Sequence, residues 1–205
     1  MRARWIILGI GAIGVALVLV LTSFFFLWGV YVRHWEGLTV RAIADRVPVP
    51  VARYAGTPVL LRTYLVRIGA IKAFLASEEG KAIPEEDRVF SDVHRAQSVE
   101  QLLREAVVEE TARIRKIGVT DEEVEEAIRL EPTFSGVSPE TLEDHVRQTY
   151  GLTYDEFKEH VARPIILDRL VSASYAADHG GKTDAFDAYV EERLQRSDVI
   201  RYLKF

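Results

Sequence analysis

Glu156 and His160 stand four residues apart, a spacing that puts both side chains on one face of a helix, where a metal ion could bridge them. Two ligands do not make a site, and no third is suggested nearby. The pair therefore reads as a solvated contact contributing about 0.2–0.5 kcal/mol. His145 beside Asp144 and His94 beside Asp92 read as exposed polar positions. Serine, histidine and aspartate all occur, but without a nucleophile elbow, a P-loop or a dinucleotide fingerprint. The absence of cysteine removes the thiol nucleophile, the disulfide framework and the common zinc-ribbon ligand sets together. No catalytic residue, metal ligand or cofactor is expected, and the reading points away from an enzyme.

Charge narrows the partners. Residues 31 to 205 hold all 31 acidic residues but only 24 of the 26 basic ones, a formal charge of −7. No basic stripe is visible, so a nucleic-acid partner is set aside.

The elements that would position any site begin at a bilayer. From Ile6 to Leu27 the chain carries no charge, and at about 1.5 Å per residue it reaches roughly 33 Å, enough to cross a hydrocarbon core of about 30 Å. Trp5 marks one edge, and Trp28, Tyr31 and Trp35 mark the other, where amphipathic rings prefer the lipid boundary. A cleaved signal peptide has an apolar region of about 7–15 residues that ends near a small-residue site. Here the one such pattern, Ala42-Ile43-Ala44, lies well beyond the apolar run. A retained signal-anchor over about residues 6–30 is expected. Arg2 and Arg4 on one flank nearly balance Arg33, Arg41 and Arg46 on the other. A head of a few residues has nothing to do but anchor, so the expectation is a cytoplasmic N-terminus and an extracytoplasmic body, periplasmic or at the cell surface.

Beyond the anchor, Pro48 and Pro50 stiffen a spacer that leads into a short strand near Val51–Tyr54. Gly56-Thr57-Pro58 reads as a turn, after which Leu61, Leu65, Ile68 and Leu75 recur at helical spacing over about Leu60 to Ser77. A second, long helix is expected over Ser91 to Ile117. Thr120 with Glu123, and Thr153 with Glu156, form capping boxes, each carrying an apolar staple: Val119 with Val124, and Leu152 with Phe157. Ser138 followed by Pro139 marks a third helix start. Helices are expected over Asp121 to Leu130, Pro139 to Thr149 and Tyr154 to His179, the last kinked or interrupted at Pro164. After Gly180-Gly181 an amphipathic segment, Asp184 to Gln195, precedes a β-branched and aromatic tail. An isolated terminal strand needs a partner, so the tail is expected to pair with Val51–Tyr54. The expected fold is mainly α: a membrane anchor over 1–32, a juxtamembrane linker over 33–50, and a helical body over 51–205 whose two ends meet in a small strand pair.

Several of these features, in this order, resemble the N-terminal chaperone domain of SurA-type periplasmic proteins. The carrying residues are the opening Pro48 to Gly56 leading into a helix, the long helix ending Arg115-Lys116-Ile117-Gly118-Val119-Thr120, the turn Gly151 to Phe157, and a closing helix with a short strand. The resemblance covers about residues 48 to 205. Ala55 departs from it, since the family commonly has Asn there in an opening Val-Asn-Gly turn. Many relatives insert a parvulin prolyl isomerase domain between the helix ending near His179 and the final helix. Here Gly180-Gly181-Lys182-Thr183 bridges that gap.

The resemblance implies a helical chaperone fold that binds unfolded, partly folded or nascent secreted polypeptides, and not the catalysis. A holdase needs an apolar surface kept soluble by surrounding acidic residues and tolerant of many sequences. Tyr64, Phe74, Leu75, Phe90, Phe134 and Tyr150 lie near expected helix ends and loops and are the candidates to line it. Taken singly, each reads first as a core residue. The alternative is an adaptor for one defined envelope or translocon partner. A residual isomerase is a third reading, which turnover of a prolyl peptide would reveal.

Overall fold

The computed structural model describes residues 2–131 and 137–205. Helix α1 (Arg2–Arg33) carries the apolar stretch. Its portion Val15–Arg33 is long and apolar enough to cross a membrane, with a mean hydropathy of 2.3. A short helix α2 (Leu38–Ala44) follows, then the strands β1 (Pro50–Tyr54) and β2 (Thr57–Leu60). Next come α3 (Leu61–Ala76) and α4 (Asp92–Arg115), separated by two 3₁₀ turns, Glu79–Ala82 and Glu85–Arg88. Helices α5 (Asp121–Leu130), α6 (Pro139–Tyr150), α7 (Tyr154–Phe157), α8 (Arg163–Asp178) and α9 (Ala185–Leu194) lead to β3 (Val199–Arg201).

The helix starts follow their capping chemistry. Thr120 Oγ1 accepts the Glu123 amide while the Glu123 carboxylate accepts the Thr120 amide, and Thr153 with Glu156 repeats the pattern. Ser138 Oγ accepts the Thr141 amide, with Pro139 in the first turn where its missing N–H costs nothing. Ser91 and His94 form a further box, in which His94 Nδ1 accepts the Ser91 amide at 3.2 Å. His94 is half-buried in that role, not the exposed polar position read from sequence.

The two ends of the body do pair. β1 lies between β2 and β3, antiparallel to both, with Ala52 opposite Arg201 and Tyr54 opposite Val199. The expected strand pair is thus a three-stranded sheet, because the chain leaving Gly56 turns straight back as β2. Pro58 is tolerated there since β2 is an edge strand. Tyr54, buried in this sheet, donates its hydroxyl proton to Glu110 at 2.6 Å and accepts from Arg193 at 2.7 Å, tying β1 to α4 and α9. Burial and the Glu110 hydrogen bond push its phenol up to about 12.

α3 is apolar on two sides and so serves two cores. Leu61, Tyr64, Leu65 and Ile68 join the sheet, α4, α9 and Val171 of α8 in one core, which also takes in Val30 of α1 and Val40 of α2. Ala70, on the opposite side, joins Val124, Ile128, Leu142, Val146 and Phe157 in a second core beneath α5 and α6. Tyr31 was read as part of the lipid-boundary ring, but it turns into the first core, where its hydroxyl donates to the Pro50 carbonyl at 2.8 Å.

Between α7 and α8 the helix widens into a single π turn, Lys158–Ala162. This is the form taken by the interruption expected at Pro164. The ring nitrogen carries no hydrogen to return to the carbonyl of His160, one turn earlier. Arg67 Nη2 on α3 donates to that carbonyl instead, at 3.1 Å.

Candidate client-binding cleft

Two helical turns and one loop leave apolar side chains without a covering layer. Val66, Ala70 and Phe74 recur every four residues along the side of α3 that faces away from the sheet, and they form one wall of a cleft of about 300 Å³. Tyr150 and Leu152, flanking the left-handed Gly151 that ends α6, form the second wall. Val161 and Ile165, carried on either side of the π turn, form the third. A neighbouring cleft of about 250 Å³ shares Tyr150, Val161 and Ile165 and runs on to Ala127, Ile128 and Phe157. Phe74 stacks on Tyr150 and Tyr150 meets Phe157 at a tilt, with ring centroids 5.9 and 5.3 Å apart. Ile165, at the join of the two clefts, is 46 % exposed, a large apolar side chain left open to solvent.

The polar groups sit at one rim. Arg67 pairs with Glu105 at 2.7 Å, both mostly buried, and Gln101 lies beside them. Burial outweighs the attraction of Arg67 and holds the Glu105 carboxyl above the usual carboxylate range. From Arg67, Ile71 and Gln101 a broader trough of about 770 Å³ continues between α4 and α9, lined by Val93, Ala96, Val190 and Leu194 as well as by polar residues such as Gln97, Glu100 and Glu191.

His160 also lines the first cleft. Its imidazole is pushed below the ordinary value by burial. Glu156, four residues earlier, turns away to its capping duty, accepting from the Thr153 amide and hydroxyl, each at 2.9 Å. The backbone hydrogen bond from Thr153 lowers its carboxyl pKa. The two side chains thus do different work, one in a cap and one in the cleft wall, with a minor electrostatic attraction between them. Among the described residues no group of three or more His, Asp or Glu side chains gathers as a metal ion would require. His145 approaches Glu79 at 3.8 Å.

Of the aromatic and apolar candidates named from sequence, the structure brings Phe74 and Tyr150 together in the first cleft. Tyr64 is 3 % exposed in the main core, its hydroxyl buried without a hydrogen-bond partner. Leu75 is half-buried at the end of α3, against the turn where Gly80 meets the helix backbone. Phe90 packs on the edge of the main core between the cations of Lys72 and Arg95, 4.5 and 4.8 Å from its ring centre. Phe134 lies outside the described residues. The sequence reading missed Val66, Ile71, Leu152, Val161 and Ile165. The signal for the α3 members was present, since that helix is apolar around most of its circumference and one core cannot use every side.

Set beside known proteins, the chain matches the family described as SurA-like N-terminal domain over residues 7–171, and it belongs to that family. The match takes in the apolar helix and ends within α8. Two curated relatives, each called periplasmic chaperone PpiD, from Escherichia coli K12 and Escherichia coli O6:H1, are 27 % identical over 111 residues. The alignment covers 52 % of this chain and 18 % of each relative, so the chain corresponds to a small part of their length. No solved structure matches.

Proposed function

We propose that this protein is a membrane-tethered, extracytoplasmic holdase that binds unfolded or partly folded polypeptides in the apolar clefts between α3, α6 and the π turn. The observation that carries the reading is the run of ring contacts, Phe74, Tyr150 and Phe157, beside the half-open Ile165. Such a surface takes apolar side chains of varied shape, because ring faces and a branched aliphatic impose little hydrogen-bond geometry. Similarity to a relative named as a periplasmic chaperone and membership of the SurA-like N-terminal domain family support the same reading. Anchoring would confine the cleft to the zone where secreted chains emerge and so raise its effective concentration there. Binding proceeds without isomerase chemistry. The support is the direct passage from α8 to α9 through residues 179–184, which leaves no room for an inserted domain at that point.

The test uses the full chain in lipid nanodiscs with a chemically denatured client diluted beside it. Light scattering should fall at modest molar excess of the protein. Unchanged aggregation would withdraw the proposal, and turnover of a prolyl peptide above background would restore the isomerase reading.

A further inference from the structure

At the end of α1 the chain does not run out into a free tether. His34 takes a left-handed conformation at φ 52° and reverses the direction of the backbone. The Trp35 amide donates to the Gly29 carbonyl at 3.0 Å, and the indole lies so close over Gly29 that a Cβ there would stand 2.3 Å from it. Trp35 also meets Phe25 edge-on at 5.4 Å. The ring has therefore returned about 6 Å along the helix axis, to the level where the apolar stretch ends. Arg33 covers the face of Trp28 at 5.4 Å. Leu38 then opens α2 and is 85 % exposed, while Val40 and Ala44 of the same short helix are buried in the body.

The returning segment is clamped. The Glu36 carboxylate pairs with Lys72 of α3 and Arg95 of α4. His34 Nε2 lies 3.1 Å from the Lys204 carbonyl, and its ring meets Phe205 at a tilt, 4.7 Å between centroids. The span and the body thus meet through packed side chains, with Val30 already inside the main core.

Resting on the reading of α1 as a membrane span, we propose that the body is seated directly on the bilayer, with Trp28, Trp35 and Leu38 immersed together at the boundary between headgroups and acyl chains. The occupant of this surface is phospholipid. Two indoles are groups that prefer that boundary, Leu38 supplies apolar area beside them, and the surface is continuous with the apolar face of α1. A clamped seat fixes the orientation of the client cleft relative to the membrane, which a flexible linker would not do.

The chain has no cysteine, so single substitutions can be labelled without background. Val18→Cys in the span, Leu38→Cys in the seat and Val89→Cys in the loop between α3 and α4, each carrying a fluorophore, are compared in liposomes with lipid-attached and aqueous quenchers. Lipid-attached quenching should be severalfold stronger at positions 18 and 38 than at 89. Quenching by lipid at 18 but by the aqueous quencher at 38 overturns the seat and leaves the anchor standing. An aqueous response at 18 overturns the anchor itself. Protection of position 38 from both quenchers would assign the surface to a protein neighbour and equally overturn the proposal.

Discussion

The guanidinium of Arg67 stands in for a missing backbone donor, reaching from α3 to the carbonyl of His160 that Pro164 leaves without its usual amide. The same side chain pairs with Glu105, so one arginine joins α3, α4 and the π turn and shapes the rim of the cleft. Arg67→Met keeps the aliphatic stem but strands both the carbonyl and a mostly buried carboxylate. A loss of about 2–4 kcal/mol in urea unfolding is expected. Pro164→Ala restores a backbone N–H, and in the Arg67→Met background it should recover part of that loss. A double-mutant cycle showing no coupling between positions 67 and 164 would refute the substitution of one donor for the other.

Ala55 and Gly56 both take positive φ, 48° and 84°, forming the two-residue turn that joins β1 to β2. Glycine occupies that region freely and alanine does not. Asparagine tolerates it through local hydrogen bonding. Ala55→Asn should therefore stabilise the protein by about 0.5–1 kcal/mol, read as a raised urea midpoint at unchanged slope.

Burial favours the neutral form of His160, so the unfolded chain takes up this proton at higher pH than the folded one does. The stability this group contributes is full above about pH 6.5 and declines as pH falls from there towards its folded value. Glu105 acts in the opposite sense, because its raised carboxyl pKa makes stability fall as pH rises through the window just above the ordinary carboxylate value. The difference between the parent and His160→Leu isolates the histidine. The parent should lose more stability than the variant between about pH 7.5 and pH 5.5.

The capping boxes at Thr120 and Thr153 were legible because their chemistry is local, each completed within four residues. The meeting of the tail with β1 was legible from a different constraint, that a lone β-branched terminal segment requires a ladder partner. The edge strand β2 was hidden because Gly56-Thr57-Pro58 carries turn residues whether or not the chain continues as a strand. Pro164 announced an interruption, but a π turn rather than a sharp kink depended on Arg67, 97 positions earlier, supplying a donor. The cleft was half legible: Phe74 and Tyr150 stand out as aromatics near helix ends, whereas Val161 and Ile165 owe their place in it to the register change that the π turn introduces.

The clamp between α1 and the body also bears on how the protein can be divided. A fragment of residues 46–205 lacks Val30, Val40 and Ala44, which are 2, 5 and 7 % exposed, and it lacks the Glu36 pairings. A fragment of residues 26–205 keeps them. Thermal unfolding should show the shorter fragment destabilised by about 3 kcal/mol or more relative to the longer. Equal stability would mean that the body closes without the end of α1.

Site-specific photocrosslinking from position 165, at the join of the two apolar clefts, tests the chaperone reading most directly. A photoreactive residue placed there, in membranes with secretion active, is predicted to yield a broad ladder of client adducts. The same residue at exposed Asp87, which lines neither cleft, should yield few. One dominant adduct at 165 would mark an adaptor for a single partner. No adduct above that of position 87 would contradict the cleft as the binding surface.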